Sequence, residues 1–162
     1  MILPFTMNIL QSKSLESIGI RWGLLTFSLL SLFFLLMGQI GLIKILELRF
    51  FNAFIMLFGC YMAIREAKKN LKNFKYFSGL AAGGLNGLVA SVLFVLAGYI
   101  YISFINPEFM YEIKLKEPLG LHLNVYLALF QFFVEGVISG FILSFIIMQW
   151  MKKPRTQSEE KD

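Results

Sequence analysis

Residues 77–105 read FSGLAAGGLNGLVASVLFVLAGYIYISFI, twenty-nine residues without a charge. A helix rises about 1.5 Å per residue, and about 20 apolar residues cross the hydrocarbon core of a bilayer. The stretch is therefore long enough to span. Its end is marked by Asn106–Pro107, because a residue preceding proline avoids helical geometry. Its small residues fall at Gly79, Gly83, Gly87 and Ser91. A step of four keeps residues on one side of a helix, so these four make a stripe along which another backbone can approach closely. In lipid, such packing takes the place of the hydrophobic drive between helices.

Three further apolar blocks lie around this one. Residues 22–43 run between Arg21 and Lys44, residues 50–64 between Arg49 and Arg65, and residues 121–151 are interrupted only by Glu135. The second block is short for a span, so its flanking residues are expected to join the helix, over about residues 48–65. The fold class this predicts is an all-α integral membrane protein, a bundle of four transmembrane helices over residues 18–151, with spans at 22–43, 48–65, 77–105 and 121–151. Residues 1–17 form a cytoplasmic N-terminal segment. Residues 152–162, polar and charged, form a tail expected to be disordered.

Composition agrees. Of the 162 residues, 57% are hydrophobic and 15% charged, against about 25% charged in a typical soluble domain. The formal net charge of +5 does not point to nucleic acid, since the basic residues flank apolar blocks instead of forming a domain of their own. Their distribution fixes an orientation, because Lys and Arg accumulate on the cytoplasmic side of short loops. With four spans, one side holds Lys13, Arg21, Arg65, Lys68, Lys69, Lys72, Lys75, Lys152, Lys153, Arg155 and Lys161, and the other only Lys44, Arg49, Lys114 and Lys116. Eleven against four places both termini in the cytoplasm. The basic loop 65–75 (REAKKNLKNFK) is expected to rest on anionic headgroups, or else to dock a cytoplasmic partner. The first 17 residues lack the layout of a cleaved signal peptide.

The stripe of the third span has a counterpart in the fourth, at Gly136, Gly140 and Ser144. The simpler reading packs Gly79, Gly83 and Gly87 against Gly136 and Gly140 within one chain. The alternative is a seam between two copies. The external connection, residues 106–120, alternates Tyr111, Ile113 and Leu115 with Glu112, Lys114 and Lys116, a short strand-like pattern.

Glu135 is the acid to be explained, because a charged side chain deep in lipid costs about 2.5–3.5 kcal/mol on insertion scales. Counting residues from the basic end gives depths. Glu135 lies about 25 Å up, Gln39 about 27 Å, Ser91 and Arg49 about 24 Å, and Asn52 about 20 Å, with Gln131 one turn above Glu135. The expectation is an intramembrane polar cluster of Glu135, Gln131, Arg49, Gln39, Asn52 and Ser91 inside the bundle, with Arg49 as counter-ion. Such a cluster is either a structural ion pair or a site for a proton, a cation or a cationic substrate. Asn86, near the midplane, reads as glue between helices.

No catalytic constellation is present in the sequence. One cysteine, Cys60, and one histidine, His122, give no thiolate or multi-histidine metal spacing. Gly83–Gly84 lies within a span, which excludes a phosphate loop. Neither a cofactor nor enzymatic activity is expected. Cys60 is expected to be inert.

The order of these elements carries a resemblance. A span ending in YMAIREAKKN (residues 61–70) is followed by FKYFSGLAAGGLNGLVASVLFVLAGYIYISFINPEF (residues 74–109). The closing span ends in GVISGFILSFIIMQWMKK (residues 136–153). From about residue 18 to 153 the chain resembles a bacterial four-span membrane protein family, frequent in Bacteroidota, catalogued as domain of unknown function 4199. The resemblance implies the fold and a bacterial inner (cytoplasmic) membrane, and it brings no activity or functional residues. Two functions are open. One is a non-enzymatic membrane component acting through helix packing and partners: the bilayer, a second copy or another membrane protein. The other is a small carrier, ion- or proton-coupled, that uses Glu135.

Overall fold

The computed structural model describes residues 3–40, 49–116 and 124–151. These form α1 (Leu3–Ile40), α2 (Arg49–Asn70), α3 (Tyr76–Ile100) continued by a π-helical turn (Tyr101–Ile105), α4 (Phe109–Lys116) and α5 (Val125–Trp150). Among the described residues, four helices are long and apolar enough to cross a membrane: Leu15–Gln39, Phe50–Asn70, Tyr76–Ile105 and Val125–Trp150. The protein is a four-helix membrane bundle. Its exposed surface carries the large apolar side chains, among them Leu24, Leu32, Phe54, Leu96, Phe130 and Ile142. Water would penalise that surface and lipid accepts it.

The short second block is completed as its length required. α2 continues past Arg65 to Asn70, and Leu71 N–H still reaches Ala67 O at 3.0 Å. The reading of residues 65–75 as a loop is corrected: the charged turns of REAKKN belong to the helix and add about 9 Å to it, leaving 71–75 as the connection.

Spans consecutive in sequence alternate in direction. Glycines of α3 meet α5 in antiparallel register: Gly79 faces Met148, Gly83 faces Ser144, Gly87 faces Gly140, Ser91 faces Gly136 and Gly98 faces Leu129. Each step along α3 is matched by an equal step back along α5, so the stripes stay together over five contacts. The closest is Gly87 with Gly140, where a Cβ on either would come within 2.8 Å of the other's Cα. The small-residue stripes expected from the sequence therefore pack within one chain.

α1 runs parallel to α3, with Gly19 against Leu85 and Gly23 against Val89, and antiparallel to α2, with Thr26 against Gly59. α3 touches α1, α2 and α5, and α2 also touches α1 and α5. The α2–α3 pair is thus the centre of the bundle, with α1 and α5 on its flanks.

At one end, Arg21 of α1 forms an ion pair with Glu66 of α2, and Trp22 Nε1 donates to the same carboxylate at 2.7 Å. Beside them Ile18, Ala67, Leu71 and Ala82 form an apolar cluster, and Gln149 Nε2 donates to Tyr76 OH at 3.3 Å. Arg65, Lys68, Lys69, Lys72 and Lys75 belong to this end as well.

At the other end, Phe34 packs edge-on against Phe94, Tyr101 and Phe109, with ring centroids 6.2, 5.2 and 5.6 Å away. The third span stops at Asn106, as the proline predicts, through a wide turn in which Asn106 N–H donates to Tyr101 O at 2.8 Å. The strand-like reading of residues 111–115 is corrected: they lie in α4. Pro107 begins a helical turn, with Met110 N–H to Pro107 O at 3.3 Å and Tyr111 N–H to Glu108 O at 2.9 Å. Tyr111 and Leu115 are four apart, so the same residues that alternate also share a helix face. α4 buries Met110 against Ile102, Ala128 and Leu129. The last span begins at Val125, where Asn124 Oδ1 caps the helix by accepting from Leu127 N–H at 2.8 Å. Lys44, His122 and the tail 152–162 lie outside the described residues.

Candidate interhelical polar site

The close approach of α3 to its neighbours brings polar side chains of four helices together. Asn86 on α3 and Cys60 on α2 are fully buried, both with 0% of their surface exposed. Thr26 Oγ1 of α1 donates to Asn86 Oδ1 at 2.9 Å. Asn86 Nδ2 donates to Cys60 Sγ at 3.4 Å and to Met56 Sδ at 3.9 Å. The Cys60 thiol in turn points at Gly83 O of α3 (3.6 Å) and Gly140 O of α5 (3.8 Å). Ser144 and Ser91 return their hydroxyls to the carbonyls one turn earlier, Gly140 O at 2.6 Å and Gly87 O at 2.7 Å.

Each of these groups would be costly alone in an apolar interior. Together they satisfy one another. Asn86 offers two N–H donors and an acceptor and uses both its nitrogen and its oxygen. The geometry depends on glycine: a Cβ at Gly59 would lie 3.1 Å from the Thr26 Cβ, and one at Gly83 would lie 2.9 Å from the Ser144 Cβ. No carboxyl, imidazole or amine belongs to this set, whose one ionisable group is the buried Cys60 thiol. Among the described residues, no three His, Cys, Asp or Glu side chains group as metal ligands. The set can hold four helices in one register.

The polar cluster expected around Glu135 is not what the interior contains. Glu135, Gln131 and Gln39 are exposed on the outside of the bundle, Asn52 is half-buried, and Ser91 is buried with its hydroxyl on Gly87 O. No hydrogen bond or ion pair joins Glu135 or Gln131 to another described residue, and the Arg49 side chain lies outside the described residues. Ser91 does lie near the level of Glu135, since it packs on Gly136, the next residue in sequence. The two differ in direction: Ser91 faces inward and Glu135 outward. A helix turns 100° per residue, so a Glu135 adjacent to Gly136 cannot share the face of Gly136, Gly140 and Ser144. Glu135 therefore does not face α3, and the packing of α5 against α2 and α3 leaves it on the outside.

Sequence reasoning found Asn86 as glue between helices and missed its partners Thr26, Met56 and Cys60. It also missed the Arg21–Glu66 pair. The second had a signal: Arg21 opens one span and Glu66 follows the end of the next, so an antiparallel hairpin puts them at one level. The first had none, since a threonine and a cysteine in apolar runs do not show which way they face. No family model, curated protein or solved structure matches this chain.

Proposed function

We propose that the chain is a non-enzymatic, multi-pass component of a bacterial inner membrane that acts by associating with another span, either of a partner protein or of a second copy. Both termini face the cytoplasm in this reading, and the chain is a member of the four-span group it resembles. One observation carries the proposal. The buried polar side chains at the centre are all committed within the chain: Thr26, Cys60 and Asn86 bond from helix to helix, and Ser91 and Ser144 bond to carbonyls one turn back on their own helices. The intramembrane acid is on the outside. Polar groups of a carrier line an interior path, whereas polar groups for an associating span face outward.

The cytoplasmic placement of the termini is supported by the charge asymmetry and by the gathering of Arg21, Arg65, Lys68, Lys69, Lys72 and Lys75 at one end. The carrier reading would need Glu135 on a route through the bundle. Ser91 against Gly136 fills the interior at that level, which weighs against it.

The test is purification in mild detergent followed by native mass spectrometry. A stoichiometric partner or a homo-oligomer is expected. A lone monomer, together with proton- or cation-dependent uptake in liposomes that Glu135→Gln abolishes, would overturn the reading in favour of transport.

A further inference from the structure

Apart from Glu135, the apolar blocks 22–43, 50–64, 77–105 and 121–151 hold no Asp, Glu, Lys or Arg. Glu135 lies on a stripe of α5 formed by Gln131, Glu135, Ile138, Ile142, Phe145 and Gln149, all exposed. Their spacing alternates four and three, the repeat that lets two helices wrap around each other along one seam. The stripe extends over about 27 Å, most of the hydrocarbon thickness. Outward faces elsewhere carry no acid: α1 presents Leu25, Leu29, Leu32 and Leu36 with the single amide Gln39 at their outer end, α2 presents Phe50, Phe54 and Phe58, and α3 presents Leu88, Val92 and Leu96. These suit lipid. A carboxyl and a carboxamide one turn apart do not.

We propose that this stripe is the seam of a parallel homodimer, in which the Gln131 amide of each copy donates to the Glu135 carboxyl of the other. The proposal deepens the association reading above and rests on it. A second copy is favoured as occupant by symmetry of depth. If the basic residues orient every copy alike, a second copy brings its own Gln131 and Glu135 to the same level. Donor and acceptor are then about 6 Å apart along the axis, a gap two long side chains close. The face is thus self-complementary, as a two-fold interface must be. An unrelated span would need a polar residue at that depth by coincidence. The glycine stripes are not free to serve as the seam, because Gly87 and Gly140 already lie against each other within the chain.

The experiment is cysteine cross-linking of the full chain in liposomes, with single substitutions Ile138→Cys and Ile142→Cys on the stripe and Leu32→Cys on α1 as control. Cys60 remains, being fully buried. Oxidation is expected to give disulfide dimers from the two α5 positions and none from Leu32→Cys. In parallel, energy transfer between labelled copies reads the association constant. Glu135→Leu is expected to weaken it about tenfold, while Glu135→Gln, which keeps a hydrogen-bonding group, retains most of it. Leucine on this face meets lipid, so the monomer fold is expected to survive, and a thermal melt checks that. Equal cross-linking at Leu32→Cys, or a Glu135→Leu protein that associates like the parent, would overturn the homodimer. A different chain bound stoichiometrically without self-cross-links would overturn it while leaving the association reading standing. A monomer without any partner would sink both.

Discussion

Asn86 and Glu135 are both polar side chains well inside a span, one on α3 and one on α5, and the fold treats them in opposite ways. Asn86 has no exposed surface and is bonded to Thr26, Cys60 and Met56. Glu135 is exposed and bonded to nothing among the described residues. The difference follows from their neighbours. Asn86 lies between Gly83 and Gly87, on the face where α3 can be approached from α1, α2 and α5. Glu135 lies a third of a turn from the face of Gly136 and Gly140, and is turned outward by the packing that those glycines permit. A polar residue beside a small-residue face is absorbed by the fold; one turned away from it is left for something outside the chain.

The comparison can be broken most severely at the glycine contact on which it rests. Gly87→Leu would drive a side chain into the Gly140 backbone, where a Cβ alone already comes within 2.8 Å. Backbone cannot yield as a flexible side chain does, so a loss of about 3 kcal/mol or more is expected, read as an unfolding transition in mixed micelles or as failure to accumulate. A Gly87→Leu protein as stable as the parent would mean that α3 and α5 do not meet there.

Asn86→Ala comes next. It removes a buried hub and leaves Thr26 Oγ1 without its acceptor, so about 2 kcal/mol should be lost in the same assay. Thr26→Val tests one arm of that hub. It costs about 1 kcal/mol, in the range of interhelical hydrogen bonds in membranes, and its effect should largely vanish in an Asn86→Ala background. Full additivity of the two would show that the bond contributes nothing.

Glu66→Gln affects an ion pair whose Arg21 side is 63% exposed, so solvent screens it and the expected loss is below about 1 kcal/mol. Raising the salt concentration should shrink it further, because exposed pairs are screened; a salt-independent loss would point to the Trp22 hydrogen bond instead. The smallest effect on the monomer is expected for Glu135→Leu. Stability in detergent should be unchanged or slightly raised, since nothing in the chain depends on that carboxyl. A loss comparable to that of Asn86→Ala would place Glu135 inside the bundle and remove the contrast.

The sequence by itself determined the number of spans, the stop at Asn106–Pro107, the need of the second span for flanking residues and the presence of two small-residue stripes; that the stripes pair within one chain, and that α2 runs on to Asn70, came from the structure. The former features depend on length, on proline chemistry and on a helical period, all of them local. It also gave depth along the axis, which is a count of residues, and so brought Ser91 near the level of Glu135. Tertiary structure alone decided direction around each axis. Rotation of a helix is set by which of its faces a neighbour can approach, and that depends on residues distant in sequence: Thr26 across from Gly59, Cys60 beneath Gly83 and Gly140, Gly87 against Gly140. The same cause turned residues 109–116 into a helix, since Met110 finds its apolar contacts only once the third and last spans stand together.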